Sequence, residues 1–442
     1  MSTLTIAIVV VFVLGYAFIA LESVTKINKA AIALLMFVAT WTLFMFDPSS
    51  FIPDFTHQMV NGLIEKHLGG TATTLFFLMG AMTIVEVVDQ NGGFNFVREA
   101  LRTTNKRKLL WRITLMTFFL SAILDNMTTS IVMVMVLRKL VADHHDRMMF
   151  ASLVIIAANS GGAFSPIGDV TTIMLWNKGL ITALGVMKEI ILPSLLSVVI
   201  PALIMQHLLK GQLDAPVAAP DDEKEVFTGG ERKAIFCLGV GGLCFVPVFH
   251  SLTGLPPFVG ILLVLGVLWT TIEIFYRKER DHKDSMKCRV SRVLSRIDMS
   301  TILFFLGILM AVSCLEEINV LGMAGQWLNG VSGGNHYLVT GIIGAISSIV
   351  DNVPLVAGCM GMYTNLVGDF AVDGLFWQLL AYCAGVGGSI LIIGSAAGVV
   401  VMGLERISFG WYMKHVSWLV VIGYVSGIFS YWLQNYIVAL LH

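Results

Sequence analysis

The sequence predicts an all-α polytopic membrane protein built from two inverted repeats, each with one re-entrant helical hairpin and one broken helix. Three observations predict this class. The chain of 442 residues is 56% hydrophobic and only 13% charged, with a mean hydropathy of +0.82, so water cannot be the solvent for most of its surface. Its apolar residues form many stretches of the length that a membrane-spanning helix needs, about 20 residues. Finally, one fixed shift along the chain aligns two separate motifs.

Ten apolar stretches predict membrane spans. They lie near residues 4–21, 30–46, 72–90, 149–177, 187–209, 233–250, 258–276, 299–316, 374–404 and 416–437. The first has no basic segment before it and no small-residue cleavage site after it, so we expect a retained helix rather than a signal peptide. The net charge of -1 gives no basic excess for binding nucleic acid. The six cysteines form no CxxC or CxxH spacing, which favours neither disulfides nor a zinc site.

The positive charges predict the orientation, because Lys and Arg close to membrane spans are held on the cytoplasmic side. We assign six loops to the cytoplasm, at residues 22–29, 97–108, 138–148, 210–233, 277–298 and 405–415. Together with Arg112, which lies at a membrane edge, they contain 25 of the 28 Lys and Arg residues. Both termini are then expected to face the periplasm or the exterior.

Two further apolar segments are predicted to enter and leave the membrane on the same face. Segment 109–141 has basic residues at both ends, so it enters from the cytoplasm, with the Asp-Asn pair 125–126 at its tip. Segment 338–363 has flanks without Lys or Arg, so it enters from outside, with the Asp-Asn pair 351–352 at its tip. Polar backbone at that depth is stable only where protein or a water-filled cavity covers it.

The two hairpins belong to an internal repeat. The shift that places Asp125 on Asp351 aligns the whole of Ser121-Ala-Ile-Leu-Asp125-Asn126 with Ser347-Ser-Ile-Val-Asp351-Asn352. The same shift also aligns Gly161-Gly162 with Gly387-Gly388. Since the matching hairpins enter from opposite faces, the halves are inverted repeats.

The approach to each hairpin repeats as well. Leu75-Phe-Phe-Leu78 recurs as Leu303-Phe-Phe-Leu306, at a shift slightly longer than that of the hairpin tips. We therefore expect a first half at 1–209, a cytoplasmic linker at 210–232 and a second half at 233–442.

Inverted repeats with broken helices place the transported substrate near the membrane midplane. In 149–177 the break is visible as Asn159-Ser-Gly-Gly-Ala-Phe-Ser-Pro-Ile-Gly-Asp169, followed by Thr171 and Thr172. Glycines permit unwinding, and proline removes a donor. The second break, Gly385-Val-Gly-Gly-Ser389-Ile-Leu-Ile-Ile-Gly-Ser395, is nearly free of carboxylates. The two halves therefore share the broken-helix architecture, but the carboxylate chemistry lies mainly in the first half.

Charged groups in the membrane are functional candidates by default. We expect functional roles for Asp125 and Asp169, although each is also placed to cap a helix N-terminus. Asp351 is a weaker candidate, because its place in the repeat could serve hairpin geometry alone. The asparagines of the tips and the first break are expected to satisfy main-chain groups, even where they also contact an ion: Asn126, Asn159 and Asn352.

Other polar residues have a simpler explanation. Glu86 and Glu273 lie toward span ends, where a carboxylate can reach the interface. Five histidines are expected to be solvated in loops rather than to sense pH: His57, His67, His144, His145 and His250.

Three motifs carry a resemblance to a known family: Ile-Leu-Asp125-Asn126-Met-Thr-Thr, the stretch from Asn159 to Thr172, and Gly387-Gly-Ser-Ile-Leu-Ile-Ile-Gly-Ser-Ala-Ala-Gly. They resemble the NhaD-type sodium/proton antiporters of the ion transporter superfamily, and the resemblance runs over nearly the whole chain. It implies exchange of cytoplasmic Na⁺, often Li⁺ too, for external H⁺ across a bacterial inner membrane, usually at alkaline pH. By analogy with related families it implies a homodimer with a moving transport domain; we expect no cofactor.

The resemblance implies functional roles for nine residues: Asp125, Asn126, Asn159, Asp169, Thr171, Thr172, Ser347, Asn352 and Ser389. The repeat adds Asp351 at the second tip and Ser395 at the second break as candidate Na⁺ ligands. The chain departs from the family at Val386, where a hydroxyl residue is expected, so the second half lacks one implied ligand.

The residues also favour this chemistry on their own. Na⁺ is a hard cation satisfied by carboxylate, hydroxyl and carbonyl oxygens, and the breaks offer these without imidazole or thiolate, which disfavours a transition metal. A carboxylate that binds either Na⁺ or H⁺, but not both, produces exchange by competition. Burial supports such competition, because it disfavours the ionised carboxylate until a cation binds.

Two alternatives have different consequences. A sodium-coupled carboxylate or arsenite carrier of the same superfamily would share the architecture, but carboxylate symporters have a Ser-Asn-Thr tip, and both tips here are Asp-Asn. An intramembrane aspartyl protease, which is an enzyme, resembles Tyr-Asp and Gly-x-Gly-Asp. Here Leu124 precedes the first aspartate and Pro166 stands at the first glycine position. We therefore expect a transporter and not an enzyme.

Overall fold

The described part of the chain is almost entirely helical. The computed structural model describes residues 3–20, 25–51, 57–93, 100–209, 211–213, 228–278, 293–349 and 351–441, and no β-strand occurs in these ranges. The first half contains α1 (Thr3–Ala20), α2 (Lys29–Phe46), α3 (His57–Gln90), α4 (Lys106–Ser121), α5 (Asn126–Leu140), α6 (His144–Ala163), α7 (Val170–Asn177) and α8 (Ala183–Leu208). The second contains α9 (Gly229–Thr253), α10 (Pro257–Lys278), α11 (Met299–Glu317), α12 (Val320–Ser332), α13 (His336–Ile346), α14 (Asn352–Met362), α15 (Leu375–Gly387), α16 (Ala396–Glu405), α17 (Phe409–His415) and α18 (Ser417–Leu441).

The helices confirm a multi-pass membrane protein. Within the described ranges, six helices are long and apolar enough to span a membrane, namely α2, α3, α8, α9, α10 and α11. A seventh span results if α17 and α18, which meet at a bend of 55°, are counted as one. The remaining predicted spans are α1, a shorter apolar helix, and the stretches 149–177 and 374–404, each of which is divided into two helices.

The two re-entrant hairpins are present, α4 with α5 and α13 with α14. Their arms have 16, 15, 11 and 11 residues, so at about 1.5 Å per residue none reaches across a core of about 30 Å. Asp125 caps α5 by accepting from the Thr128 amide at 2.8 Å. Asp351 caps α14 by accepting from the Val353 amide at 3.4 Å. An aspartate cap therefore begins the second arm of both hairpins.

The inverted repeat is visible in matching hydrogen bonds. Ser121 Oγ donates to the carbonyl oxygen of Ala158 at 2.6 Å. Its counterpart in the second half, Ser347 Oγ, donates to the carbonyl oxygen of Ala384 at 3.0 Å. Each bond joins a hairpin to the broken helix of its own half, α4 to α6 and α13 to α15.

Glycine makes the same contact possible in both halves. A Cβ atom on Gly161 would overlap the carbonyl oxygen of Phe118, and one on Gly387 would overlap that of Gly344. Only a residue without a side chain allows the helices to approach so closely. The repeated glycines therefore set the distance between each hairpin and its broken helix.

The halves also interlock with each other. Helix α5 packs on α16, and α14 packs on α7. At the end of α16, the buried carboxylate of Glu405 accepts from Arg138 Nε at 2.7 Å and from Arg147 Nε at 2.6 Å. Elsewhere in the fold, Asp373 accepts from the amide of Thr182 at 2.7 Å. Hairpins and broken helices of both halves are thus tied into one unit around the two breaks.

Three features differ from the sequence-based expectation or lie beyond it. Helix α12 lies in a segment expected to be a hairpin flank, and α17 lies in the expected loop 405–415. Most of the predicted linker 210–232 lies outside the described residues.

The prediction that five histidines lie in loops is wrong. His57 begins α3, His67 lies within it, His144 and His145 form the first turn of α6, and His250 is in the last turn of α9. Tertiary contacts explain the difference, because a polar residue within a helix can be stabilised by a partner distant in sequence. His67 Nε2, for example, lies 2.7 Å from Glu317 Oε1.

Candidate functional site

The break between α6 and α7 places Asp169 in the buried interior. Helix α6 ends at Ala163, and α7 begins at Val170. Asp169 caps α7, and its Oδ1 accepts from the amide of Thr171 at 3.0 Å and from the Thr171 hydroxyl at 3.1 Å. The residue is 1% exposed. A carboxylate is thus fixed inside the protein at the point where the helix is interrupted.

Both hairpin tips meet at this carboxylate. Asn126 Nδ2 donates to Asp169 Oδ2 at 3.0 Å. Asn352 Nδ2 lies 3.3 Å from Oδ1 and 3.4 Å from Oδ2 of the same residue. The repeat predicts two tips at similar depth; the structure adds that they converge on one aspartate.

Asn159 connects this carboxylate to the break of the second half. Its Oδ1 accepts from Asn126 Nδ2 at 3.0 Å, and its Nδ2 donates to Ser389 Oγ at 2.8 Å and to Ser395 Oγ at 2.9 Å. Seven of the sequence-predicted residues therefore form one buried network: Asn126, Asn159, Asp169, Thr171, Asn352, Ser389 and Ser395.

The surrounding helix ends determine the sign of the local field. Four helices, α5, α7, α14 and α16, begin beside the network, and a helix N-terminus carries a partial positive charge. Their caps are Asp125, Asp169, Asp351 and Ser395. Uncapped N-termini would favour an anion, and the carboxylates of Asp125 and Asp169 supply the opposite charge. The network thus offers carboxylate, amide and hydroxyl oxygens, the ligands of a hard cation.

Two predicted residues lie beside the network and bond to main-chain atoms. Thr172 Oγ1 donates to the carbonyl oxygen of Asp169 at 2.8 Å, and Ser347 Oγ is held by Ala384 as described above. Both hydroxyls stabilise the frame of the breaks in this conformation.

Asp125 faces a different environment from Asp169. Both of its carboxylate oxygens accept from Thr128, one from the amide and one from the hydroxyl. With Asn126 it lines a cavity of about 60 Å³ whose other walls are largely apolar and include Phe77, Met82 and Phe305. The first tip therefore presents one residue to the network and the preceding aspartate to a cavity.

Asp351 contacts a residue that the sequence analysis did not single out. Lys29, the first residue of α2, places its Nζ 3.0 Å from Asp351 Oδ2. The same ammonium lies 4.4 Å from the centre of the Phe304 ring in α11. In the sequence Lys29 is an ordinary lysine beside a span, and only the tertiary structure brings it to the second tip.

The remaining polar candidates lie outside the network. Glu86 Oε1 accepts from Gln90 one turn further along α3, at 2.8 Å, and Glu273 is half-buried in α10.

Tyr412, a second residue missed from the sequence, is fully buried and donates to the carbonyl oxygen of Ser389 at 2.8 Å. Val386, at the expected hydroxyl position, is fully buried.

Comparison with known proteins gives related transporters over most of the chain. A family model described as "Citrate transporter" matches residues 16–381. The "Sodium/proton antiporter 1" of Arabidopsis thaliana is 44% identical over 431 residues, which are 96% of this chain and 72% of that protein. The "Na(+)/H(+) antiporter NhaD" of Alkalimonas amylolytica is 30% identical over 453 residues, covering 95% of this chain and 88% of its own.

A solved structure agrees at the level of the fold. The YdaH transporter of Alcanivorax borkumensis, whose topology is described as unusual, matches with a TM-score of 0.59 and 14% identity, covering 90% of this chain and 96% of its own. At that identity the likeness extends to the fold alone. The chain belongs to the family described as "Citrate transporter", and within it to the NhaD-type group that its three motifs indicate.

Proposed function

We propose that this protein is a secondary transporter that exchanges cytoplasmic Na⁺ for external H⁺ by competition at buried carboxylates, with Li⁺ as the second cation to test. The observation that carries the proposal is the convergence of both hairpin tips on Asp169. The names of the relatives agree with it, since the plant and bacterial proteins that match most of this chain are called sodium/proton antiporters.

The proposed Na⁺ site is the network around Asp169. The oxygen ligands of Na⁺ would be the Asp169 carboxylate, the Thr171 hydroxyl and the side-chain oxygens of Asn126, Asn159 and Asn352. In this conformation the amide nitrogens of Asn126 and Asn352 face the carboxylate. Rotation of each amide by half a turn exchanges its donor for its acceptor, so the same residues can neutralise an empty carboxylate or coordinate a cation.

The second half contributes hydroxyls to this proposal. Ser389 and Ser395 are held by Asn159 and could take up ligand positions when that amide rotates. Thr172 and Ser347 remain proposed ligands, but their hydroxyls would have to leave main-chain carbonyls to bind an ion.

Asp125 is the proposed group on which Na⁺ and H⁺ compete. It directly precedes Asn126 and lines a cavity of about 60 Å³, so a cation or a proton has space to reach it. Because a cation favours the ionised carboxylate and low dielectric favours the neutral one, binding of either ion displaces the other.

The aspartate caps favour this function over an anion carrier. A carboxylate or arsenite substrate would be attracted by the helix N-termini but repelled by Asp125 and Asp169, the two aspartate caps beside the network without a paired lysine among the described residues. The description of the family model as "Citrate transporter" nevertheless makes citrate the substrate to test beside Na⁺.

The remaining parts of the proposal concern the setting. We infer a multi-pass protein of the bacterial inner membrane with both termini outside, although its relatives include plant proteins. It would act as a homodimer, without a cofactor and without enzymatic activity. The halves 1–209 and 233–442, joined by the linker 210–232, would be its structural units.

An assay in inside-out membrane vesicles tests the exchange. Respiration acidifies the vesicle interior and quenches a pH-sensitive dye, and added Na⁺ should restore fluorescence only when the protein is present. Vesicles without the protein are the control. Uptake of radiolabelled citrate or arsenite with no Na⁺-dependent dequenching would replace the proposal by the anion carrier. Cleavage of a membrane-inserted peptide would replace it by the protease.

A further inference from the structure

The ion pair between Lys29 and Asp351 connects the site to a helix that supplies no other group to it. Lys29 begins α2, which packs against α1 and α11. Asp351 caps α14, and the next residue, Asn352, donates to Asp169. The positive charge of Lys29 is therefore connected to the Asp169 carboxylate through only two residues, Asp351 and Asn352.

The geometry of the pair is that of a defined contact rather than a chance approach of two flexible groups. The Nζ–Oδ2 distance is 3.0 Å, and the side chains are 28% and 18% exposed. The ammonium is also 4.4 Å from the centre of the Phe304 ring, a cation–π contact that restricts it further. Partial burial keeps the field of the pair from being fully screened.

In the described part of the chain, the first hairpin tip has no lysine at the position that corresponds to Lys29. Asp125 is the counterpart of Asp351, and the shift that aligns the two Leu-Phe-Phe-Leu motifs places Pro257 opposite Lys29. Each begins its helix, α2 or α10. Proline carries no charge that could neutralise the carboxylate of Asp125. A lysine at this position is therefore not a feature that both halves of the repeat share.

We propose that Lys29 is a positioning residue that acts through Asp351 to set the affinity of the site for Na⁺. As the resident counter-ion of Asp351, it cancels the charge of that aspartate and keeps it out of the exchange. Asp125, which has no equivalent lysine in the repeat, and Asp169 then carry the exchange. This inference rests on the proposed function, since it assumes that the network binds Na⁺.

The proposal predicts opposite effects for the two partners. Lys29→Met leaves Asp351 as an extra negative charge beside the site, so Na⁺ should bind more tightly. Asp351→Asn leaves Lys29 as an extra positive charge, so Na⁺ should bind more weakly. For a unit charge at about 10 Å in an effective dielectric constant of about 20, each change in the dissociation constant is on the order of tenfold.

The double variant and the conservative variant separate charge from packing. Lys29→Met with Asp351→Asn removes both charges and should return the dissociation constant to within about threefold of the original protein, by cancellation of the two opposite terms. Lys29→Arg keeps the charge and should change binding little. Lys26→Met alters an exposed lysine earlier in the chain and is the matched control.

Binding of ²²Na⁺ to purified full-length protein at fixed pH gives the readout, with Na⁺/H⁺ exchange measured in vesicles for the same set. For each variant, Vmax and KM for Na⁺ are both determined. A charge effect on Na⁺ affinity should change KM and leave Vmax nearly unchanged. The role of Lys29 would be overturned if both single variants bound Na⁺ more weakly. It would also be overturned if the dissociation constant of the double variant were no closer to that of the original protein than those of the single variants. Absence of ²²Na⁺ binding in the unaltered protein would instead overturn the proposed function. If Lys29→Met does not fold, Lys29→Gln tests the same charge.

Discussion

Asn126 donates from one Nδ2 atom to two acceptors, Oδ2 of Asp169 and Oδ1 of Asn159, each at 3.0 Å. A single amide at the first hairpin tip therefore joins the carboxylate of the network to the asparagine that holds the second-half serines. Any rotation of this amide changes the contacts of both breaks together, which gives ion binding a direct route from one repeat to the other.

Replacement of Asp169 by asparagine should abolish exchange without unfolding the protein. Asn caps a helix about as well as Asp, so the bond from the Thr171 amide can persist, whereas the charge that attracts Na⁺ is lost. We expect Na⁺-dependent dequenching below a tenth of the original rate. Expression level and elution volume in detergent are the controls. A variant with ordinary Na⁺ affinity would leave helix capping as the sole role of Asp169.

Replacement of Asp125 by asparagine should abolish the proton release that accompanies Na⁺ binding. The change keeps the shape of the tip and removes the group on which the two ions compete. In weakly buffered solution, Na⁺ added to the unaltered protein should lower the pH, and the variant should show no change.

Proton release at an ordinary yield from that variant would assign the competition to another group. Asp169 is the next candidate, because it is the carboxylate of the network itself. Measurement of ²²Na⁺ binding to the same variant distinguishes loss of competition from loss of binding.

Glycines of the repeat should be essential for assembly. Alanine at Gly161 or Gly387 would place a Cβ atom against a main-chain carbonyl of the neighbouring hairpin, and backbone cannot move aside as a side chain can. Since overpacking by side chains alone costs about 1–3 kcal/mol, we expect a loss of at least about 3 kcal/mol. Gly403→Ala, where no atom lies within 4 Å of the added Cβ, is the matched control. Thermal unfolding followed by tryptophan fluorescence measures the difference; equal melting temperatures for all three variants would contradict it.

Glu405 should contribute far more to stability than an exposed glutamate. Its side chain is 1% exposed and contacts both Arg138 and Arg147. Removing one partner of a buried ion pair typically costs about 3–5 kcal/mol, so Glu405→Gln should lower the melting temperature markedly. Glu189→Gln disrupts a pair with Lys188 at 3.7 Å, in which the lysine is 84% and the glutamate 34% exposed, so about 0–1 kcal/mol is expected. A similar small effect at both positions would show that the Glu405 pairs do not tie the two halves together.

Sequence patterns predicted the architecture because the repeat and the apolar lengths can be read directly along the chain. The Asp-Asn tips, the glycine pairs and the breaks at 159–169 and 385–395 are all visible in this way. Helix α12 was missed because its glycines and polar residues give no run of apolar residues long enough to suggest a span.

The site could be predicted only in part. Motifs identified seven network residues by type and approximate depth, but nothing in a motif states that Asn352 reaches Asp169 across the repeat. Lys29 carries no motif at all. Its meaning depends on the packing of α2 against α11, a contact between residues far apart in the sequence, and such contacts leave no periodic trace.

The charge distribution predicts on which side of the membrane each hairpin begins. In a variant without its six native cysteines, single cysteines at Val331 and Val367, both more than 60% exposed, should react with a membrane-impermeant maleimide in intact cells. A cysteine at the exposed Ala142 should react only in inside-out vesicles, because the basic loop 138–148 is held in the cytoplasm. Each position serves as the control for the others, since all three react once the membrane is dissolved. Labelling of the cysteines at 331 and 367 from opposite sides would mean that 338–363 crosses the membrane fully and is not a re-entrant hairpin.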